Sequence, residues 1–164
     1  MKKWMVFVFM LVSASVFAQT EKGQSSVGAN VGYTFDSEHV SLGIDYRYSI
    51  TDEVRIAPSI THFVKNNNLS AWNFDVNAHY LVQLSDVFGF YPLAGLSLSL
   101  WKADLGRFEE LFKGNKNENR FGVNVGLGAE VYATQNITVG LEVKYHIIKD
   151  FDQALIAVRA AYVF

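Results

Sequence analysis

The stretch Ala71-Trp72-Asn73-Phe74-Asp75-Val76-Asn77-Ala78-His79-Tyr80-Leu81-Val82-Gln83-Leu84 decides the fold. Trp72, Phe74, Val76, Ala78, Tyr80, Val82 and Leu84 share one face, whereas Asn73, Asp75, Asn77, His79 and Gln83 lie on the other together with Leu81. A period of two belongs to a β-strand, whose successive side chains point to opposite sides. A helix would smear the two sets around its circumference. The segment is a strand with one apolar and one polar face.

The same test, carried outward, gives eight segments at about residues 25–35, 39–50, 53–64, 70–84, 87–101, 120–133, 136–148 and 154–164. Each meets the roughly 9–11 residues that a tilted strand needs to cross a bilayer. His62 alone on their apolar faces is ionisable near neutral pH. No stretch beyond the N-terminus has the ~18 uninterrupted apolar residues of a spanning helix. The connections alternate in length. Tight turns fall at Thr51 and Asp52, at Ser85 and Asp86, and around Thr134 to Asn136, whereas 36–38, 65–69, 102–119 and 149–153 form the other set. Transmembrane barrels have short periplasmic turns and longer extracellular loops, and only the short first loop departs from that pattern. The expected fold is therefore all-β, an eight-stranded antiparallel up-and-down transmembrane β-barrel.

The N-terminus agrees with export. Lys2 and Lys3 precede an apolar run from Trp4 to Val12, and Ser13 to Ala18 are mostly small, with Val16 and Ala18 suited to cleavage. Residues 1–18 read as a signal peptide and 19–164 as the barrel domain, too short to hold a second one. With 14 basic against 16 acidic residues and no basic stripe, nucleic acid is not an expected partner. The absence of cysteine excludes disulfides and thiolate metal sites.

Alternation does not by itself say which face meets solvent, and a soluble lipocalin-like barrel would reverse the two. The polar face is rich in glycine (Gly28, Gly32, Gly43, Gly95, Gly126, Gly128 among others), and the apolar face carries Trp72 and many Phe, Tyr and Leu. Eight strands enclose a narrow interior, which glycines and long polar side chains fit and bulky apolar ones would overfill. The outward aromatics also sort to two ends: Tyr33, Phe35, Trp72, Phe74, Phe121 and Tyr145 toward one, Tyr46, Tyr48, Phe88, Phe90, Tyr162 and Phe164 toward the other. Two such girdles mark the interfaces of a bilayer-spanning barrel.

The last strand places Ile156, Val158, Ala160, Tyr162 and Phe164 on one face and ends in an aromatic residue. With the eight alternating segments, this ending resembles the eight-stranded outer-membrane barrels, of which the OmpA and OmpX membrane domains are the best-known type. The resemblance covers the whole mature chain and implies the bacterial outer membrane, with the lipid bilayer and lipopolysaccharide as surroundings. It also implies that the barrel-assembly machinery reads Tyr162 and Phe164 as an assembly signal. The resemblance names no extracellular partner.

The inward face carries Asp45, Asp75, Glu130 and Glu142 against Arg47, Arg55, Lys144 and Arg159. Charges in a narrow lumen are costly unless paired, so a balanced set is expected to form one network. If Ile147 faces Ala154 across the last hairpin, Glu142 falls opposite Arg159 as a cross-strand ion pair. Histidines and serines are scattered, and a nucleophile and base could meet only across strands, for example Ser97 or Ser99 with a lumen His. No histidine spacing suggests a metal, and no cofactor is expected. In the long loop Asp104 can cap a short helix with Leu105, Phe108, Leu111 and Phe112 on one side. The expected function is that of a non-enzymatic outer-membrane barrel serving envelope structure or surface interaction. A porin-like small-solute pore is the second reading, and a lipid-modifying enzyme the third.

Overall fold

The computed structural model describes residues 21–36, 39–66, 69–103, 118–148 and 152–164. It contains eight strands: β1 (Ser25–Thr34), β2 (His39–Ser49), β3 (Val54–Asn66), β4, β5 (Phe88–Ala103), β6 (Glu118–Tyr132), β7 (Ile137–Ile148) and β8 (Gln153–Val163). Strand β4 comes in two pieces, Leu69–Tyr80 and Val82–Ser85, both paired with β5. Every pairing is antiparallel between chain neighbours, and β1 with β8 closes the barrel.

The registers set the tilt. From Gly32 one route around the wall passes Ser41, Phe63 and Ala71 to Trp101, and the other passes Ala157, Glu142 and Gly128 to Tyr91. The two arrivals on β5 are ten residues apart. For eight strands that stagger corresponds to a tilt of about 40°. Such a barrel has an interior just wide enough for side chains to fill.

The turns follow from threonine chemistry. Thr51 Oγ1 accepts from the Val54 amide at 2.9 Å, and Thr134 Oγ1 accepts from the Ile137 amide at 3.0 Å. In both turns a hydroxyl replaces a backbone acceptor, which lets the chain reverse within a few residues. The two prolines explain the irregularities. Pro92 sits where β4 is interrupted, between the His79–Leu93 and Val82–Phe90 pairs, and it has no N–H for the ladder. Pro58 does the same between β2 and β3. There the Tyr46–Pro58 and Arg47–Ala57 steps are absent from a register that resumes unchanged on both sides.

At the long-loop end several strands run further than alternation suggests, because pairing continues above the rim. Asn66 pairs with Leu69, Leu69 with Ala103, and Trp101 with Glu118. The two faces fall as the alternation requires. Trp72, Phe74 and Val76 point outward with 40–50% exposure, whereas Asn73, Asp75, Asn77 and His79 are 1–3% exposed inside. Leu81 breaks the polar face and joins Tyr91 and Leu93 in a small buried apolar cluster.

Candidate functional site

The interior is built by inward positions of seven strands. Strand β2 supplies Asp45 and Arg47, β3 Arg55, β4 Asp75 and His79, β5 Tyr91, β6 Glu130, β7 Glu142 and Lys144, and β8 Arg159. All are buried. Arg55 reaches across the lumen and holds Glu130 with two bonds, Nη1 to Oε1 and Nη2 to Oε2, both 2.7 Å. This fork-to-fork geometry is the strongest arrangement that a guanidinium and a carboxylate can form. Tyr132 donates to the same Glu130 at 3.0 Å. Arg47 spans to Glu130 at 3.2 Å and to Glu142 at 3.0 Å, and donates to the Tyr91 hydroxyl at 3.0 Å. Tyr91 in turn donates to Glu142 at 2.9 Å. Lys144 joins Glu142 to Asp75, at 3.3 and 3.4 Å.

Tyr91 is the hub. Its ring stacks on His79 with centroids 4.6 Å apart, and the guanidinium carbons of Arg55 and Arg47 lie 4.5 and 5.2 Å from its centroid. His79 Nδ1 accepts from Arg55 Nε at 3.1 Å, so its ring is neutral with the proton on Nε2. Room for the ring comes from Gly128, directly opposite on β6, where a Cβ would overlap the Tyr91 ring. On the inward side of β5 Tyr91 is the large aromatic among Gly89, Leu93, Gly95, Ser97 and Ser99, and that is the signal that alternation carried for it.

One expected pair does not form. Glu142 faces Ala157 and Arg159 faces Gly140, so the last hairpin is displaced by two residues from the register that would join them. The Asp152 carboxylate accepts from the Ile148 amide at 3.2 Å and the Asp36 carboxylate from the Ala154 amide at 2.9 Å, which fixes the hairpin in this register. Arg159 pairs instead with Asp45, Nε donating to its oxygens at 2.8 and 2.9 Å. Gly28 leaves space for that guanidinium, since a Cβ there would lie 2.6 Å from Arg159 Nε.

Nearer the long loops neutral groups predominate, beside the inward Arg120 and Asp75. Ser97 and Ser99 both donate to Asn73 Oδ1, at 2.9 and 2.7 Å, and Asn73 donates to Asp75 at 2.7 Å. The hydroxyls are thus spent on an amide and not on a histidine. Among the described residues no group of His, Asp and Glu is poised to hold a metal. Two interior cavities of about 20 Å³ each meet at Arg47 and Arg159, which line both. Each has room for about one water. Tyr162 and Phe164 point outward, and Phe164 is tied to Ser25 by bonds of 2.9 and 3.1 Å. Asp104, Leu105, Phe108, Leu111 and Phe112 lie outside the described residues.

A closed wall with an apolar outside, a charged inside and short turns at one end defines an outer-membrane β-barrel. Residues 5–164 match the family model for the outer membrane protein beta-barrel domain, and the chain belongs to that family. Solved structures agree in fold. The N-terminal β-barrel domain of Pseudomonas aeruginosa OprF superposes with a TM-score of 0.73 at 15% identity, over 87% of this chain and 98% of that one. Ail, the attachment invasion locus protein of Yersinia pestis, in complex with the heparin analogue sucrose octasulfate, gives 0.64 at 15%, over 87% and 99%. OprG from Pseudomonas aeruginosa gives 0.62 at 12%, over 91% and 99%. No curated protein sequence matches the chain significantly.

Proposed function

We propose that this chain is a non-enzymatic structural barrel of the outer membrane with a closed lumen and a surface-interaction ledge at its outer end. The observation that carries the closed lumen is the Arg55–Glu130–Arg47–Glu142 lattice, which crosses the interior with every carboxylate at least doubly bonded. A solute would have to break several charge-assisted bonds at once, and the adjoining cavities are water-sized. The spent Ser97 and Ser99 hydroxyls support the absence of acyl-transfer chemistry, since an activated nucleophile needs a base within reach.

The ledge is supported by the uneven rim. Strands β3 to β6 stay paired up to Asn66, Leu69, Ala103 and Glu118, whereas pairing of β2 with β3 ends at Ser41–Phe63. The wall is therefore raised on this side, and His39 Nδ1 bonds the Val64 carbonyl at 3.0 Å beside it. Connections carried on a rigid raised rim are where binding surfaces concentrate. Single-channel recording of the refolded protein in a planar bilayer tests the first part, with no steady conductance expected. A stable open level would replace the closed reading with that of a small-solute pore.

A further inference from the structure

The lipid-facing wall carries a feature that the lumen and the ledge do not use. Around the Pro58 gap a groove of about 470 Å³ opens on the outside, lined by Ile44, Tyr46, Pro58, Ile60, Phe74 and Val76. That volume lies in the ~300–1,000 Å³ range of sites that hold small molecules. Its walls are firm. The Pro58 ring is rigid, and the Tyr46 hydroxyl is bonded to Ser25 Oγ at 2.9 Å. The groove runs over β2, β3 and β4 from Tyr46, on the side of one aromatic end, to Phe74, on the side of the other, so hydrocarbon is what reaches its middle. A concavity left unfilled there would forfeit dispersion contacts along its lining.

The second observation is polar. The register sets Pro58 opposite Tyr46, and Pro58 has no N–H to give. The Tyr46 carbonyl therefore receives no ladder bond from β3. An unsatisfied carbonyl is tolerated poorly in hydrocarbon, where no water can replace the missing donor. An apolar groove beside an unspent acceptor fits a hydrocarbon chain that carries a donor. We propose that the Pro58 groove binds one acyl chain of a membrane lipid, and that a hydroxyl on this chain donates to the Tyr46 carbonyl.

The test is native mass spectrometry of the refolded full-length barrel with two phospholipids that share a headgroup and chain length, one with a hydroxylated acyl chain and one with plain chains. One hydroxylated lipid should remain bound under conditions that strip the rest, retained about three- to tenfold better than the plain lipid, the range for one net hydrogen bond. Pro58→Ala restores the N–H, so the ladder bond forms, the barrel stays folded and the preference disappears. Val76→Phe fills the groove and should remove tight retention of both lipids, whereas Val143→Phe, outward on β7 away from the groove, should leave it intact. Equal retention of the two lipids by the wild type overturns the proposal. So does a hydroxyl preference that survives Pro58→Ala, or retention that survives Val76→Phe.

Discussion

The two halves of the lumen solve the same problem in opposite ways. Toward the short turns the interior is ionic: Arg47, Arg55, Glu130, Glu142 and Tyr91 bind one another across the barrel, and their bonds join β2, β3, β5, β6 and β7. Toward the long loops neutral groups predominate beside the inward Arg120. Asn73, Ser97 and Ser99 form a local chain on β4 and β5, while Ser41 Oγ, Asn124 Oδ1, His146 Nε2 and Gln153 Nε2 are buried without a protein partner. A buried charge that loses its partner has nowhere to turn, whereas a neutral group can share a water. The ionic half should therefore lock the barrel, and the neutral half should tolerate change.

The largest effect should come from Arg55→Ala. It removes both bonds of the Glu130 fork and leaves that carboxylate with Arg47 and Tyr132, so the loss should approach the ~3–5 kcal/mol seen when a buried pair is broken. Urea unfolding in lipid vesicles measures it. A loss under about 1 kcal/mol, the range of solvent-exposed pairs, would mean that water fills this half and that the two halves do not differ.

Next in size is a test of the wall against the lumen. Val125 faces lipid and Asn124 faces inward as its neighbour. Val125→Arg should cost about 2–4 kcal/mol if it lies near the bilayer midplane, while Asn124→Ser should cost far less. Equal losses would reverse the assignment of faces. Gly128→Ala follows, since its methyl group would meet the Tyr91 ring at the hub, and overpacking of this kind costs about 1–3 kcal/mol. Gly140→Ala should cost less, because a Cβ there meets the Ala129 carbonyl oxygen at 3.1 Å, a tight contact and not the overlap that Gly128→Ala makes with the Tyr91 ring.

How much of this was legible follows from what a period of two can encode. The alternation in Ala71 to Leu84 placed Asn73, Asp75 and His79 inside and Trp72, Phe74 and Val76 outside, and the structure has them there. The same period is blind to a slip of two residues, which leaves every face unchanged. That is why Glu142 was expected opposite Arg159, when loop contacts of Asp36 and Asp152 set a register that gives Arg159 to Asp45 through the lumen. Cross-lumen partners such as Arg55 and Glu130, 75 positions apart, depend on stagger, which no single strand records. Double-mutant cycles make the correction measurable. Asp45→Asn with Arg159→Ala should show coupling of about 0.5–3 kcal/mol, whereas Glu142→Gln with Arg159→Ala should come closer to additivity.

The smallest effect should appear in the neutral half, with Ser99→Ala. Ser99 Oγ donates to Asn73 Oδ1 at 2.7 Å, but Ser97 donates to the same oxygen at 2.9 Å, so losing one donor leaves the acceptor satisfied. The Asn73 side chain also keeps its bond to Asp75. No orphan group is created, and the cost should be at or below the ~0.5–1.5 kcal/mol net worth of one hydrogen bond. Ser97→Ala with Ser99→Ala removes both donors and strands a buried amide oxygen, which raises the expected loss to about 1–3 kcal/mol beyond the single change. The double variant should therefore lose more than the two singles combined. If Ser99→Ala alone costs as much as Arg55→Ala, the serine cluster is as rigid as the ionic lattice, and the contrast between the two halves of the lumen fails.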